Sequence, residues 1–525
     1  MVATSLAAGA SLEKKPVNKW AVAVAVATGA LLEIIDTSIV NVALTDIQAA
    51  VGATLAQVSW VVSSYAVANV IVLPLSTWLG RRFGQKNYFV FSLIGFTVAS
   101  VLCGLSTNLP MLIAGRTLQG LMGGGLLAKA QAILFETFPR EEQAAAQGFF
   151  GIIVVAGPAI GPTLGGWIVT NIDWRWIFFV NLPVGIAAVI ACIAALPRDE
   201  GTRDRSRVDW LAILLLAMGL GAMQTVLEEG NSDDWFESNF IVISTLLAAF
   251  GLISFVWREL TSDVPVVDLR VLRHRSLWAG SLLSVVMGMA LYGALFAVPV
   301  FAQGIMQMTP EQTGFMLLPS AFASAVGMQV ISRVMGKADP RMLLVAGSLG
   351  LCTALIWLGD LTPQTGEDDL FWPLIVRSFA TVAMYLPLNL ASLGPLPKKD
   401  ISSASAFFNL TRQLGGSVGV ALLTTLVDRR EAFHRAVLVE KLLPGDQDVS
   451  ARLTMFAQRF SSLGSSAYEA QQKALAMLDS MVNQQAAVMS FADTFWATAL
   501  LVVTTLPLVM LLGKPARGVQ VDAGH

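Results

Sequence analysis

Ionisable side chains are scarce in this chain. Only 13% of its 525 residues are charged, while 55% are hydrophobic. Soluble domains carry about 25% charged residues, so the deficit excludes an ordinary water-soluble globule. Histidine occurs three times, at positions 274, 434 and 525. All three lie outside the long apolar runs, which argues against a metal site within them. Cys103, Cys192 and Cys352 sit inside apolar runs and read as small buried hydrophobes, with no disulfide framework. No Gly-Lys-Ser/Thr phosphate loop is present, which argues against ATP hydrolysis. The net charge of −2 gives no electrostatic case for nucleic acid.

What the chain has in abundance is apolar sequence. A helix needs about 20 apolar residues to cross the hydrocarbon core, and in lipid its backbone groups must be satisfied internally. This predicts an all-α polytopic membrane protein with spans near 20–43, 57–80, 88–106, 110–136, 144–170, 175–196, 210–229, 239–260, 276–303, 312–335, 342–361, 371–396, 403–428 and 491–513. Lys14, Lys15 and Lys19 precede the first span, which runs on into Glu33, Asp36 and Asn41 with no clear cleavage site. It reads as an uncleaved span rather than a signal peptide.

Loop charges test the count independently, because cytoplasmic loops hold the excess of Lys and Arg. The basic clusters fall at Lys14–Lys19, Arg81–Lys86, Arg140, Arg198–Arg207, Arg258–Arg275, Arg333–Arg341, Lys398–Lys399 and Lys514–Arg517. The alternate short connections carry only Arg175. Both termini are therefore expected in the cytoplasm. Segment 429–490 holds seven Lys and Arg on the outer side, and long loops translocate largely regardless of charge. Within it, 467–489 has apolar residues near helical spacing and predicts an amphipathic outer helix running into the last span.

A repeat is visible. Thr54–Gln57 opens the second span and Thr309–Gln312 the tenth, both in capping-box form. Arg116 in the fourth span is echoed by Arg377 in the twelfth. The offsets predict a cytoplasmic tail (1–19), a six-helix half (20–196), a two-helix insert (210–260), a second half (276–513) containing the outer loop, and a tail (514–525). Such two-half folds place substrate near the midplane between the halves.

Several residues carry candidate chemistry. Glu33 and Asp36 lie three apart on one face of the first span. A charge at bilayer depth costs about 2.5–3.5 kcal/mol on insertion scales, so such residues face a wet cavity or a partner. A carboxyl group out of water can load and release protons near neutral pH. Arg116, in Arg116-Thr-Leu-Gln119-Gly120, needs an acceptor and could pair with one of these carboxylates. Lys129 is expected to snorkel toward the cytoplasmic mouth. In the fifth span, Gly157-Pro158-Ala-Ile-Gly161-Pro162-Thr-Leu-Gly165-Gly166 combines a small-residue face with two helix-bending prolines. Arg81, Arg82, Gly84 and Lys86 form a basic turn between the second and third spans. Trp174 and Trp176 suit an outer aromatic belt. Asn41, Trp60, Tyr65, Gln119, Arg377, Asn409, Arg412 and Gln413 are candidates to line a substrate cavity.

Taken together, these residues resemble the major facilitator superfamily, and within it the fourteen-span drug:proton antiporter branch. Gly157–Gly166 is similar to that branch's antiporter motif, and Arg116–Gly120 to its fourth-helix motif implicated in proton transfer. Thr77–Lys86 is similar to the inter-helix signature, except that Thr77 stands at a usual Gly and Arg81 at a usual Asp. Asp36–Ala43, Trp174–Pro183 and Asn409–Gly416 also resemble the branch. The long outer loop and the ending Phe491–Trp496 resemble its EmrB-type efflux subunits, in which Glu33 takes the place of an uncharged residue. The resemblance implies proton-coupled export of hydrophobic or amphipathic organic compounds across the inner membrane, driven by the proton gradient with no cofactor. It also implies a periplasmic membrane-fusion adaptor and an outer-membrane channel as partners. The alternative on the same fold is a proton symporter importing a small solute.

Overall fold

A computed structural model describes residues 18–197, 208–263, 265–335, 338–442 and 447–512. Lys14, Lys15, the Arg198–Arg207 cluster, Lys337, Lys514 and Arg517 lie outside the described residues. The described chain is almost wholly helical. In chain order the spans are Lys19–Val42, Leu55–Phe83, Gln85–Gly104, a fourth in two pieces (Leu109–Gly123 and Leu126–Thr137), Gln143–Asn171, a sixth formed by Trp176–Phe179 and Asn181–Ala195, Trp210–Glu229, Asn239–Thr261, Arg275–Gly304, Pro310–Val334, Pro340–Gly359, Glu367–Leu393, Lys398–Glu440 and Ala467–Thr505. Among the described residues eleven helices are long and apolar enough to cross a membrane, or twelve when the bent fifth span is taken as one. The fourth span is broken into two short helices. The thirteenth runs past the apolar zone into a charged extension. Both pack inside the bundle, so the expected fourteen are compatible with this architecture.

The repeat expected from sequence recurs in the packing. In the first half the fifth span packs on the first, the fourth on the second and third, and the sixth on the first and third. In the second half the thirteenth packs on the ninth, the twelfth on the tenth and eleventh, and the fourteenth on the ninth and eleventh. The seventh and eighth spans pack chiefly on each other, and the seventh leans on the second and thirteenth. This is an arrangement of two six-helix halves with a two-helix insert. Asp209 caps the seventh span through the Ala212 amide at 3.0 Å and pairs with Arg258 of the eighth at 2.8 Å. The bond from Arg258 holds the Asp209 carboxyl below its ordinary range.

Local chemistry sets the span ends. Thr54 accepts from the Gln57 amide at 3.3 Å and Gln57 returns the bond at 3.0 Å; Thr309 and Gln312 do the same at 3.2 and 2.9 Å. Gly84 turns the chain at φ +95°, where a side chain is strained. Lys86 donates to the Ile193 and Leu196 carbonyls at 2.6 and 2.8 Å, covering the orphan acceptors that end the sixth span. Arg82 lies over the Trp78 ring at 5.8 Å. At the opposite end, Arg175 approaches Asp173 at 3.7 Å and stacks over Trp174 at 4.5 Å.

Segment 429–490 forms a helical projection. The thirteenth span continues unbroken to Glu440, a separate helix covers Gln447–Ser462, and the fourteenth begins at Ala467. The amphipathic stretch expected at 467–489 is thus the N-terminal part of that last helix. Arg430 pairs with Asp493 at 2.6 Å and Arg435 with Asp479 at 2.8 Å, holding the two long helices together.

Candidate proton-coupling site

The first span is apolar for most of its length, so its two carboxyl groups must be satisfied by neighbouring helices. Asp36 is fully buried. Its Oδ2 accepts from Arg116 Nη1 at 2.5 Å, and its Oδ1 accepts from Gln119 Nε2 and Asn181 Nδ2, both at 2.8 Å. The carboxyl accepts all three bonds. Arg116 and Gln119 lie one helical turn apart on the fourth span, and Arg116 Nη1 also reaches Gln119 Oε1 at 2.8 Å. Its Nε donates to the Val61 carbonyl at 3.0 Å, and its guanidinium lies over the Tyr65 ring at 4.2 Å. Asn181 continues the network to Ser100 Oγ at 3.0 Å. Four spans therefore meet at one buried ion pair.

Glu33 is buried one turn nearer the N-terminal side. Its Oε1 accepts from Asn69 Nδ2 and its Oε2 from the backbone amide of Leu127, each at 2.9 Å. It makes no bond to Arg116.

The candidates assigned to a cavity do not share one site. Tyr65 and Gln119 belong to the Asp36 cluster. Asn409 and Arg412 form a second buried cluster: Arg412 Nη2 donates to Asn409 Oδ1 at 2.5 Å and Nη1 to the Tyr385 hydroxyl at 3.3 Å. Asn41 is exposed and donates to the Thr37 carbonyl at 3.4 Å, whereas Trp60 meets Phe240 of the insert edge-to-face at 6.4 Å. Arg377 is buried in the twelfth span, and Gln413 is half-buried beside Arg412.

The fifth span bends by 41° between Gln143–Pro158 and Ile160–Asn171. A Cβ at Gly157 would lie 2.8 Å from Ile34 Cγ2, one at Gly161 would collide with Ser38, and one at Gly165 would lie 2.7 Å from Ile39 Cγ1. These three glycines therefore seat the fifth span against the turn of the first span that carries Asp36. A Cβ at Gly166 would instead lie 2.9 Å from the Glu311 amide, at the tenth span. Pro162 follows Gly161 on the same helix.

On the N-terminal side the two halves are joined by polar contacts. Lys129 Nζ donates to Ser402 Oγ at 2.7 Å and is buried, rather than reaching solvent as expected. It has a partner in the opposing half, which removes the need to snorkel. Gln131 donates to Asn389 in a short contact and accepts from Asn409 Nδ2 at 2.5 Å. Ser405 Oγ bonds the Ala128 carbonyl at 2.9 Å. Sequence reading passed over Asn69, Gln131 and Asn389, and took Asn181 only as part of the Trp174–Pro183 run. The only signal for them was a large amide in an apolar run, and such residues also occur as plain inter-helix contacts.

The profile of the Major Facilitator Superfamily matches residues 26–420. The chain is similar to the multidrug export protein EmrB of Escherichia coli (strain K12), at 32% identity over 94% of this chain and 95% of that one. It is similar to the colistin resistance protein EmrB of Acinetobacter baumannii at 30% identity, over 94% and 96%. Similarity to the fatty acid resistance protein FarB of Neisseria gonorrhoeae is 31% over 92% and 94%. Among solved structures, the fold resembles a double-Trp mutant of XylE with a TM-score of 0.61, at 11% identity over 95% and 96%. It also resembles the human organic anion transporter MFSD10 at 0.57, with 14% identity over 93% and 100%.

Proposed function

We propose, for a chain that belongs to the major facilitator superfamily, that it exports hydrophobic or amphipathic organic compounds in exchange for protons. The observation that carries this reading is the buried Asp36–Arg116 pair, with Gln119 and Asn181 completing the carboxylate's bonds. A buried ion pair held by four helices is costly to assemble, and an intramembrane carboxylate is by default a functional group. Protonating Asp36 cancels its charge and frees Arg116, so the helices that meet there can repack. Releasing the proton restores the pair. One charge moved across 100 mV supplies about 2.3 kcal/mol, enough to drive export without ATP or a bound cofactor.

The glycines at 157, 161 and 165 let the bent fifth span follow the first as that repacking occurs. The ninth span, which takes the first span's place in the second half, contains no Asp or Glu. Proton exchange therefore belongs to the first half, with substrate between the halves. The relatives named for multidrug export support organic compounds as cargo. The basic-loop alternation supports an inner-membrane protein with both termini in the cytoplasm, and the outer helical projection supports a periplasmic adaptor with an outer-membrane channel beyond it. The domain limits are those of the repeat, with the insert at 210–260.

Inverted vesicles with an acid interior test the reading. The wild type is expected to accumulate a fluorescent organic cation as protons leave. Asp36→Asn should show no accumulation above an unenergised control at an equal level of folded protein. Normal accumulation by Asp36→Asn would remove Asp36 from the exchange.

A further inference from the structure

The fourth span does not cross as one helix. It stops at Gly123, passes through Gly124 and Gly125, and restarts at Leu126. A restarted helix exposes up to four amides with no partner inside it. Gly125 stands at the capping position and has no side chain, and no side-chain cap comes from the helix itself. The cap comes from another span: Glu33 Oε2 accepts from the Leu127 amide at 2.9 Å, while Oε1 is held by Asn69 at 2.9 Å. A carboxylate at that place also complements the helix dipole. The break is pressed against the second span, since a Cβ at Gly124 would lie 2.5 Å from the Asn69 carbonyl oxygen.

The piece that Glu33 caps carries the contacts joining the two halves on the N-terminal side. Lys129 bonds Ser402, Gln131 bonds Asn389 and Asn409, and the Ala128 carbonyl accepts from Ser405. The first of these side chains lies two residues beyond the capped amide. We infer that Glu33 is a positioning residue whose proton occupancy sets this seal: as a carboxylate it anchors the lower half of the fourth span in the sealed position, and as an acid it lets that half-helix move. The inference rests on the proton-coupled reading but concerns a different step, since Asp36 carries the exchanged proton and Glu33 reads the local proton supply into the gate. One proton added at Oε2 forms an O–H bond, removes the charge that complements the helix dipole and weakens the acceptance from Leu127; its loss restores the full cap.

The titratable and charged neighbours are few. Asp36 lies on the same helix, Tyr65 on the second span, Tyr88 on the third, Arg116 and Lys129 on the fourth and Arg412 on the thirteenth. The fifth span carries no ionisable side chain, and Asn181–Ala195 of the sixth has only Cys192, which bonds the Ala25 carbonyl. Among the described residues none of these makes an ion pair with Glu33, so its two hydrogen bonds are the contacts that protonation changes.

The seal can be read by chemistry rather than by transport. Ala128 is buried in the cluster that joins the fourth span to Ala406 and Leu410 of the thirteenth. Ala128→Cys, in nanodiscs that leave both faces open, would be labelled by a polar maleimide and compared with the unsubstituted chain, whose three cysteines are buried. Normalised to a free thiol at the same pH, which removes the loss of thiolate on acidification, labelling is expected to be slow at alkaline pH and to quicken as pH falls. With Glu33→Gln added, which keeps an acceptor for Leu127 but loses the charge and the titration, the normalised rate should no longer depend on pH and should lie roughly threefold above the parent at the alkaline end, the size of a lost charge–dipole contact. Leu127→Pro removes the same bond from the other side, at a first-turn position where proline is tolerated, and should give the same flat profile. Asp36→Asn should lose exchange yet keep the pH-dependent labelling. A parent-like pH profile in both Glu33→Gln and Leu127→Pro overturns the inference and leaves the export reading intact. Absence of proton-driven uptake in the wild type, with the labelling pattern as expected, overturns the export reading alone.

Discussion

Arg116 shows how much one side chain can hold. Its guanidinium bonds Asp36, Gln119 and the Val61 carbonyl while lying on the Tyr65 ring, and it is 1% exposed. Breaking a buried pair from one side leaves an uncompensated charge and costs about 3–5 kcal/mol. Arg116→Ala should therefore lower the thermal midpoint of the purified protein and abolish exchange. Arg116→Lys keeps the charge but loses the planar fork that serves three acceptors at once. It should restore much of the midpoint while exchange stays at least about tenfold down. A lysine variant that transports at the wild-type rate would show that charge alone suffices there.

Among elements, the fifth span is the one whose shape is dictated by composition. Pro158 and Pro162 remove backbone bonds and the helix bends by 41°. The glycines at 157, 161 and 165 let it touch the first span at Ile34, Ser38 and Ile39. A leucine at 161 has no room beside Ser38, and overpacking costs about 1–3 kcal/mol. Gly161→Leu is expected to reach the membrane in normal amount and to lose most of its efflux, as read by dye retention in cells. Unchanged retention would mean that the two helices separate more readily than this contact implies. The broken fourth span makes the complementary point. Its three glycines were visible in the sequence, yet a glycine run reads equally as close packing or as a break, and only the position of Glu33 distinguishes the two.

At the scale of the whole molecule, the two halves meet through the polar seal and through the long contact of the fifth span with the tenth. The outer projection stands apart from both. Its helix Gln447–Ser462 buries none of its residues, and Leu463 and Tyr468 beside it are each 73% exposed. Exposed apolar side chains on a projection of this kind fit docking of a second protein. Deleting roughly 440–480 should therefore abolish co-purification of an adaptor while leaving exchange in isolated vesicles. Retained co-purification would place the docking surface elsewhere.

The span order, the loop-charge alternation, the capping boxes and the identity of Asp36, Glu33 and Arg116 as buried charges were all legible in the sequence. Each follows from a local rule: apolar length, periodicity, capping chemistry, or the cost of charge in lipid. Partner choice was not legible, because it depends on which helices lie side by side. Asp36 and Glu33 sit three residues apart on one face, and sequence alone offers both to Arg116. The tertiary structure gives the guanidinium to Asp36 and gives Glu33 to the amide of a restarted helix. Lys129, expected in water, finds Ser402 in the other half, 273 residues away. Local physics determined that these groups must be satisfied. Only the packing of distant spans decided by what.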